Sequence, residues 1–243
     1  MGLLQKIFRR RQERTRPYCT ALIAAAGSSQ RFGGENKLLA PLDDRPVLAH
    51  TLLAVDRAES IDEIVIAARD DELLRYAELC KTYGVTKPVK VIPGGATRTE
   101  SVLRAALEAS PEASLLAVQD GARPLVTSEL IDRTVEAART SFAAAPAVPV
   151  TDTIKIACDG IVRSTPDRST LFAVQTPQVF DAGLLKAALQ SALTADAAVT
   201  DDCAAVERFG KEIRLTAGDP ENIKITSPLD LIVAEAILQR RGE

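Results

Sequence analysis

At 243 residues, 46% of them hydrophobic, the chain is long enough to bury the core of one α/β domain. Its 30 basic residues stand against 33 acidic ones, a net charge of -3, so nothing in the balance points to a nucleic acid as the main partner. The four cysteines, Cys19, Cys80, Cys158 and Cys203, form no CxxC pair, which argues against a zinc site and a disulfide framework and fits a reducing cytoplasm.

The chain opens on "MGLLQKIFRRRQERTRP", read as a basic tail over residues 1–17. Its apolar patch, Leu3, Leu4, Ile7 and Phe8, is too short for a signal peptide, and the charge follows it instead of preceding it. Lys6 stands where a myristoylation pattern requires Ser or Thr, and no stretch of the chain is long enough to span a bilayer, so stable membrane insertion is not expected.

From residue 18 to 243 the pattern reads as a single domain. Apolar runs with strand character recur at "CTALIAAAG", "IDEIVIAA", "VKVIPGG", "SLLAVQDGARP", "AAAPAVPV", "LFAVQTPQVF" and "EIRLTAG". Between most of them lie helical patterns: "RPVLAHTLLAVDRA", "DELLRYAELCKTYG", "RTESVLRAALEAS", "TSELIDRTVEAART", "AGLLKAALQSAL" and "TDDCAAVERFG". Such alternation predicts a Rossmann-like α/β fold, a mainly parallel twisted sheet with helices on both faces. The last helix, in "TSPLDLIVAEAILQRR", is bounded by Ser227 as N-cap, Pro228 at the first helical position and arginines at its end. One segment breaks the rhythm. "DTIKIACDGIVRSTPDR" alternates like two short strands around Asp159-Gly160, predicting a hairpin arm over about 150–170.

Ligands of an open parallel sheet sit beyond the carboxyl ends of its strands, so the loops that follow strands are the candidates for chemistry. The first, "AAAGSSQRFGGENK", lacks the glycine spacing of a dinucleotide fingerprint and the Gly-Lys-Ser/Thr of a Walker loop. It offers small residues whose N–H groups can approach phosphate, with Arg31 and Lys37 as cations suited to a triphosphate; solvated charge on a structural loop is the plainer alternative. In "PGGATRTES", Gly94 and Gly95 let backbone approach a flat base, or simply turn the chain from strand to helix. "VQDGARP" sets Asp120 and Arg123 just past a buried strand, where they can bind hydroxyls and phosphate, hold a metal, or form an ordinary ion pair. The single histidine, His50, falls within a helical pattern and reads as a partly buried structural residue.

Taken in order, "AAAGSSQRFGGENK", "GGATRTESV", "DGARPLV", "PVTDTIK", "DRSTLFAVQTPQVF", "VTDDCAAVE" and "ENIKITSPLDL" resemble the 2-C-methyl-D-erythritol 4-phosphate cytidylyltransferase family from roughly Thr20 to Gln239. The resemblance implies transfer of cytidylate from CTP to methylerythritol phosphate, in isoprenoid precursor synthesis, with Mg²⁺ and with pyrophosphate released. It implies that Arg31 and Lys37 stabilise charge at the α-phosphate and leaving group, while Arg168 and Lys224 hold the acceptor phosphate. By the same match, the backbone of Ala25, Ala26 and Gly27 lies along the triphosphate, and Gly94, Gly95 and Ser101 contact base and ribose. Asp120, Arg123, Thr153, Thr176 and Thr200 match acceptor-pocket positions, no residue is assigned as a metal ligand, and the arm is expected to swap across a homodimer.

Elementary chemistry agrees with that reaction. A phosphate monoester has its second pKa near ~6, so the nucleophile is already an anion and no general base is needed. The sequence departs from the family pattern at Ser29, where a glycine is frequent, at Asn36, where proline often precedes the lysine, and at Leu38, where glutamine is common. Ribitol 5-phosphate cytidylyltransferase is the nearest alternative, with similar motifs and another small polyol phosphate as acceptor. A non-catalytic nucleotide-binding module is disfavoured by the intact Arg31, Lys37, Arg168 and Lys224, and an NAD-dependent oxidoreductase by the glycine spacing.

Overall fold

The computed structural model describes residues 16–27, Phe32 and residues 36–242. Residues 1–15 of the predicted tail, and Arg31 with most of its loop, lie outside the described residues.

Short, nearly continuous apolar runs make the centre of the sheet, buried on both faces. Strand β1 (Cys19–Ala25) lies between β4 (Glu63–Ala68) and β6 (Leu115–Asp120), and β5 (Val89–Pro93) pairs with β4, all in parallel. Alternate residues serve opposite faces. Cys19, Ala21, Ile23 and Ala25 of β1 join the core built with α1 (Val47–Arg57), α2 (Leu73–Thr82), α4 (Ser128–Ser141) and α7 (Pro228–Arg241). Leu22 turns to the other core, built with α3 (Arg98–Glu108), α5 (Ala182–Thr194) and α6 (Asp202–Arg208). The chain leaves β1 toward β4 and β5 and returns on the other side to β6, so the crevice beyond the ends of β1 and β6 is where such a sheet binds ligands.

The predicted strand over 171–180 is two strands. β10 (Phe172–Val174) pairs antiparallel with β7 (Ala143–Pro149), while β11 (Gln178–Asp181) runs antiparallel between β7 and β6. Thr176 and Pro177 break the ladder, because Pro177 has no N–H to give and the Thr176 carbonyl accepts from Asn222 Nδ2 at 3.0 Å. β12 (Arg214–Ala217) adds a parallel strand to β7. The helix predicted from Arg45 starts at Val47, since Arg45 and Pro46 form β3 against β2 (Pro41–Leu42).

Helix entries follow the sequence. Thr97 caps α3 by accepting from the Glu100 N–H at 3.1 Å, and Asp230 at the start of α7 accepts from the N–H groups of Thr226 and Ser227 at 2.8 and 2.7 Å. The arm is a hairpin of β8 (Ile156–Cys158) and β9 (Ile161–Ser164), turned at Asp159 and Gly160 with φ of 51° and 75°, the left-handed pair a tight hairpin needs. Among the described residues, no helix is long and apolar enough to cross a membrane.

Candidate active site

A cavity of about 340 Å³ opens where β1 and β6 end. It is lined by the chain from Ala24 to Gly27, by the start of α3 with Gly95 and Arg98, and by Lys37, Asp120 and Lys224. Small side chains leave the backbone accessible, and Gly94 keeps the two loops close. A Cβ there would lie 2.6 Å from Cβ of Ala26, and its N–H is held by the Ala68 carbonyl at 2.7 Å. Ser101 secures the turn between them, accepting from the Gly95 N–H at 3.0 Å and donating to the Thr97 carbonyl at 2.8 Å.

Asp120 is the electrostatic centre. Its side chain is 10% exposed and meets Lys224 Nζ at 2.8 Å, with Arg98 and Arg123 each at 3.6 Å. Burial pushes its carboxyl up, but Lys224, Arg98 and Arg123 outweigh burial and hold it below the usual carboxylate range. Thr176 Oγ1 accepts the Asp120 N–H at 3.1 Å, and Arg123 donates to the Asn222 carbonyl, which ties the chain before Lys224 to the end of β6. Lys37 Nζ donates to the carbonyl of Ile225, the neighbour of Lys224 in the chain, at 2.8 Å, and both lysines line the cavity.

Arg98 spans two carboxylates. It lies 2.7 Å from Asp202, whose side chain is 1% exposed and whose Oδ1 has no hydrogen-bond partner among the described residues. Burial raises the Asp202 carboxyl despite Arg98, whereas Arg98, opposed by burial, is held firmly cationic by Asp202 and Asp120.

Most residues singled out in the sequence converge. Ala25, Ala26, Gly27, Lys37, Gly95, Ser101, Asp120 and Lys224 line the cavity. Gly94, Arg123 and Thr176 stand behind it as supports. Thr200, just before α6, and Thr153 and Arg168, on the exposed arm, are not among its walls; Arg168 donates to the Thr151 carbonyl at 2.6 Å at the arm's base. Arg31 lies outside the described residues. Arg98 and Asp202 were not singled out, although both sit within motifs, because the residues that pair them are distant in sequence. His50 meets the Leu42 carbonyl at 2.9 Å away from the cavity, and burial lowers its pKa, as suits a structural imidazole.

Comparison with known proteins agrees with the geometry. The family model described as "IspD: 2-C-methyl-D-erythritol 4-phosphate cytidylyltransferase" matches residues 19–240. The enzyme of that name from Bacillus cytotoxicus is 42% identical over 225 residues, 91% of this chain and 99% of its own, and that from Synechococcus elongatus 44% identical over 222 residues, 90% and 96%. Among solved structures, 4-diphosphocytidyl-2C-methyl-D-erythritol synthase from Anaerococcus prevotii superimposes with a TM-score of 0.84 at 33% identity, covering 92% of this chain and 97% of that one. The Thermus thermophilus cytidylyltransferase gives 0.73 at 31% identity, covering 91% and 99%. With the match running through every strand and helix around the cavity, the chain belongs to the IspD family of 2-C-methyl-D-erythritol 4-phosphate cytidylyltransferases.

Proposed function

We propose how this chain's residues carry the family's reaction, the transfer of cytidylate from CTP to 2-C-methyl-D-erythritol 4-phosphate with release of pyrophosphate. The observation that supports the assignment most directly is the meeting of Lys37, Lys224 and Arg98 with Asp120 around a floor of small-residue backbone.

The triphosphate lies along the N–H groups of Ala25, Ala26 and Gly27, as phosphates do where a strand ends in a small-residue loop. Base and ribose rest against Gly94, Gly95 and Ser101. An oxygen of the acceptor phosphate attacks the α-phosphorus, the bond from that phosphorus to the bridging oxygen breaks, and the electron pair leaves on pyrophosphate. Lys37, with Arg31, meets the charge that builds during this exchange, and each such contact is worth on the order of 3 to 4 kcal/mol. Lys224 holds the acceptor in line, its own position fixed by Asp120 at 2.8 Å. Arg123, Thr176 and Thr200 complete the acceptor side.

Mg²⁺ belongs to this proposal. Among the described residues, Asp120 is the one carboxylate lining the cavity, a donor set that fits an ion carried in by the triphosphate with Asp120 as a candidate protein ligand. When bound, Mg²⁺ neutralises charge on the phosphate oxygens.

Thr153 and Arg168 would reach a cavity by the arm crossing to a second copy of the chain. In favour of this, Ile154, Ile156, Ile161 and Val162 on the arm are 40 to 60% exposed, and so lack cover in their own chain. The acceptor is tested by pyrophosphate release from CTP with methylerythritol phosphate and with ribitol 5-phosphate. Release with the first is expected; release with ribitol phosphate alone overturns the assignment.

A further inference from the structure

The residue before Lys37 does not line the cavity, yet its side chain is fully engaged. Asn36 Nδ2 donates to Glu72 Oε1 at 2.8 Å and to Tyr76 Oη at 3.0 Å, and its Oδ1 accepts the Leu38 N–H at 3.1 Å. Both acceptors on the α2 side are buried, Tyr76 at 1% exposure and Glu72 at 6%. Asn36 therefore uses both amide hydrogens and its carbonyl at the point where the first loop rejoins the body of the protein. Its own backbone carbonyl accepts the Leu39 N–H at 2.9 Å, closing the turn that contains Lys37.

A lysine ammonium sits on a four-carbon stem with many rotamers, so where its backbone is rooted decides how much of its freedom must be frozen to reach one point. Here the tip of Lys37 is held at the Ile225 carbonyl, and the root is held through Asn36. From this geometry we propose that Asn36 is a positioning residue for the reaction, clamping the root of Lys37 to Glu72 and Tyr76 so that the ammonium stands at the reacting phosphates before substrate arrives. A proline at this position would fix the local backbone through its ring; asparagine does it with hydrogen bonds into α2. The inference rests on the role given above to Lys37.

The test compares Asn36→Ala, Asn36→Asp, Lys37→Ala and the double variant Asn36→Ala/Lys37→Ala, reading kcat, both KM values and the melting temperature. Asn36→Asp keeps the shape and the acceptor for Leu38 but loses the donors to Glu72 and Tyr76 and sets a carboxylate against Glu72, so the two variants break the clamp in different ways and the melting temperature shows which stays folded for the kinetics. Both Asn36 variants should lose kcat about 10- to 100-fold, the cost of a displacement near 1 Å, with either KM changed by less than about twofold. The double variant should be no slower than Lys37→Ala within about twofold, because Asn36 acts through the lysine. Wild-type kcat in both Asn36 variants overturns the inference, as do losses that multiply in the double variant. Wild-type kcat in Lys37→Ala overturns the role of that lysine, and this inference with it.

Discussion

Asp120 and Asp202 are both buried beside Arg98 and respond to pH in opposite senses. Asp120 is held below its ordinary value, so its contribution to stability is complete above the ordinary aspartate range and is lost as pH falls through the lower folded value. Asp202 is raised, so its contribution is present below that range and is lost as pH rises through the higher folded value. A direct outcome is that the melting temperature of wild type should exceed that of Asp120→Asn at pH about 6, with the gap closing toward pH about 3, below the ordinary value of ~3.9. A gap that stays constant over that range rules the assignment out. At this scale the sequence exposed Asp120, because a carboxylate at the end of an apolar run has few structural uses. It did not expose Arg98 or Asp202, since a charged residue at a helix start looks solvated until the fold closes another carboxylate over it. Nor did it show that Thr176 bonds the Asp120 backbone while Arg168 sits outside its own chain's cavity, both matters of where distant segments end up.

Among elements, the decisive contact is between the turn before α3 and the loop after β1. Gly94 allows it, and Gly94→Ala would place a methyl group 2.6 Å from the Ala26 Cβ, which is rooted in backbone and cannot swing aside. This variant should raise KM for CTP by about tenfold, from a shift of the triphosphate floor, with little change in KM for the acceptor. Steady-state kinetics with each substrate varied in turn distinguishes this from a general loss of folded enzyme. Strands and helices were legible at this level because the central strands are short apolar runs buried on both faces, set between helical stretches of period 3.6. The division of 171–180 had a signal in Pro177 and its polar neighbours, which a reading of the run as one strand passes over, and the pairing of β11 with β6 shows that its second half has passed into the interior of the sheet.

For the molecule as a whole, the arm is the element that leaves several large apolar side chains, Ile156, Ile161 and Val162 among them, exposed in its own chain. If Thr153 and Arg168 serve a second copy, Arg168→Ala in one chain and Lys224→Ala in its partner fall in the same cavity of the dimer and leave the other cavity whole. Mixing the two inactive variants after subunit exchange should restore activity, because some dimers then hold one cavity with both residues intact. Activity that never rises above that of the separate variants, under conditions where exchange is shown, counts against the crossing. The hairpin itself was readable from Asp159-Gly160 and the alternation around it, whereas its destination was not, since nothing in one chain's alternation says which copy a strand will touch.

The arm also leaves the sheet and returns to it at nearly the same place. Val150 donates to the Leu171 carbonyl at 3.1 Å, and Arg168 reaches Thr151, so the excursion is pinched shut at its root. Closing a longer loop costs only ~0.6 kcal/mol per doubling of its length. Insertions or deletions between Val150 and Leu171 are therefore nearly invisible to the stability of the sheet. The length of this segment can therefore drift with little cost to the fold that carries it, while the strands and loops that line the cavity stay fixed.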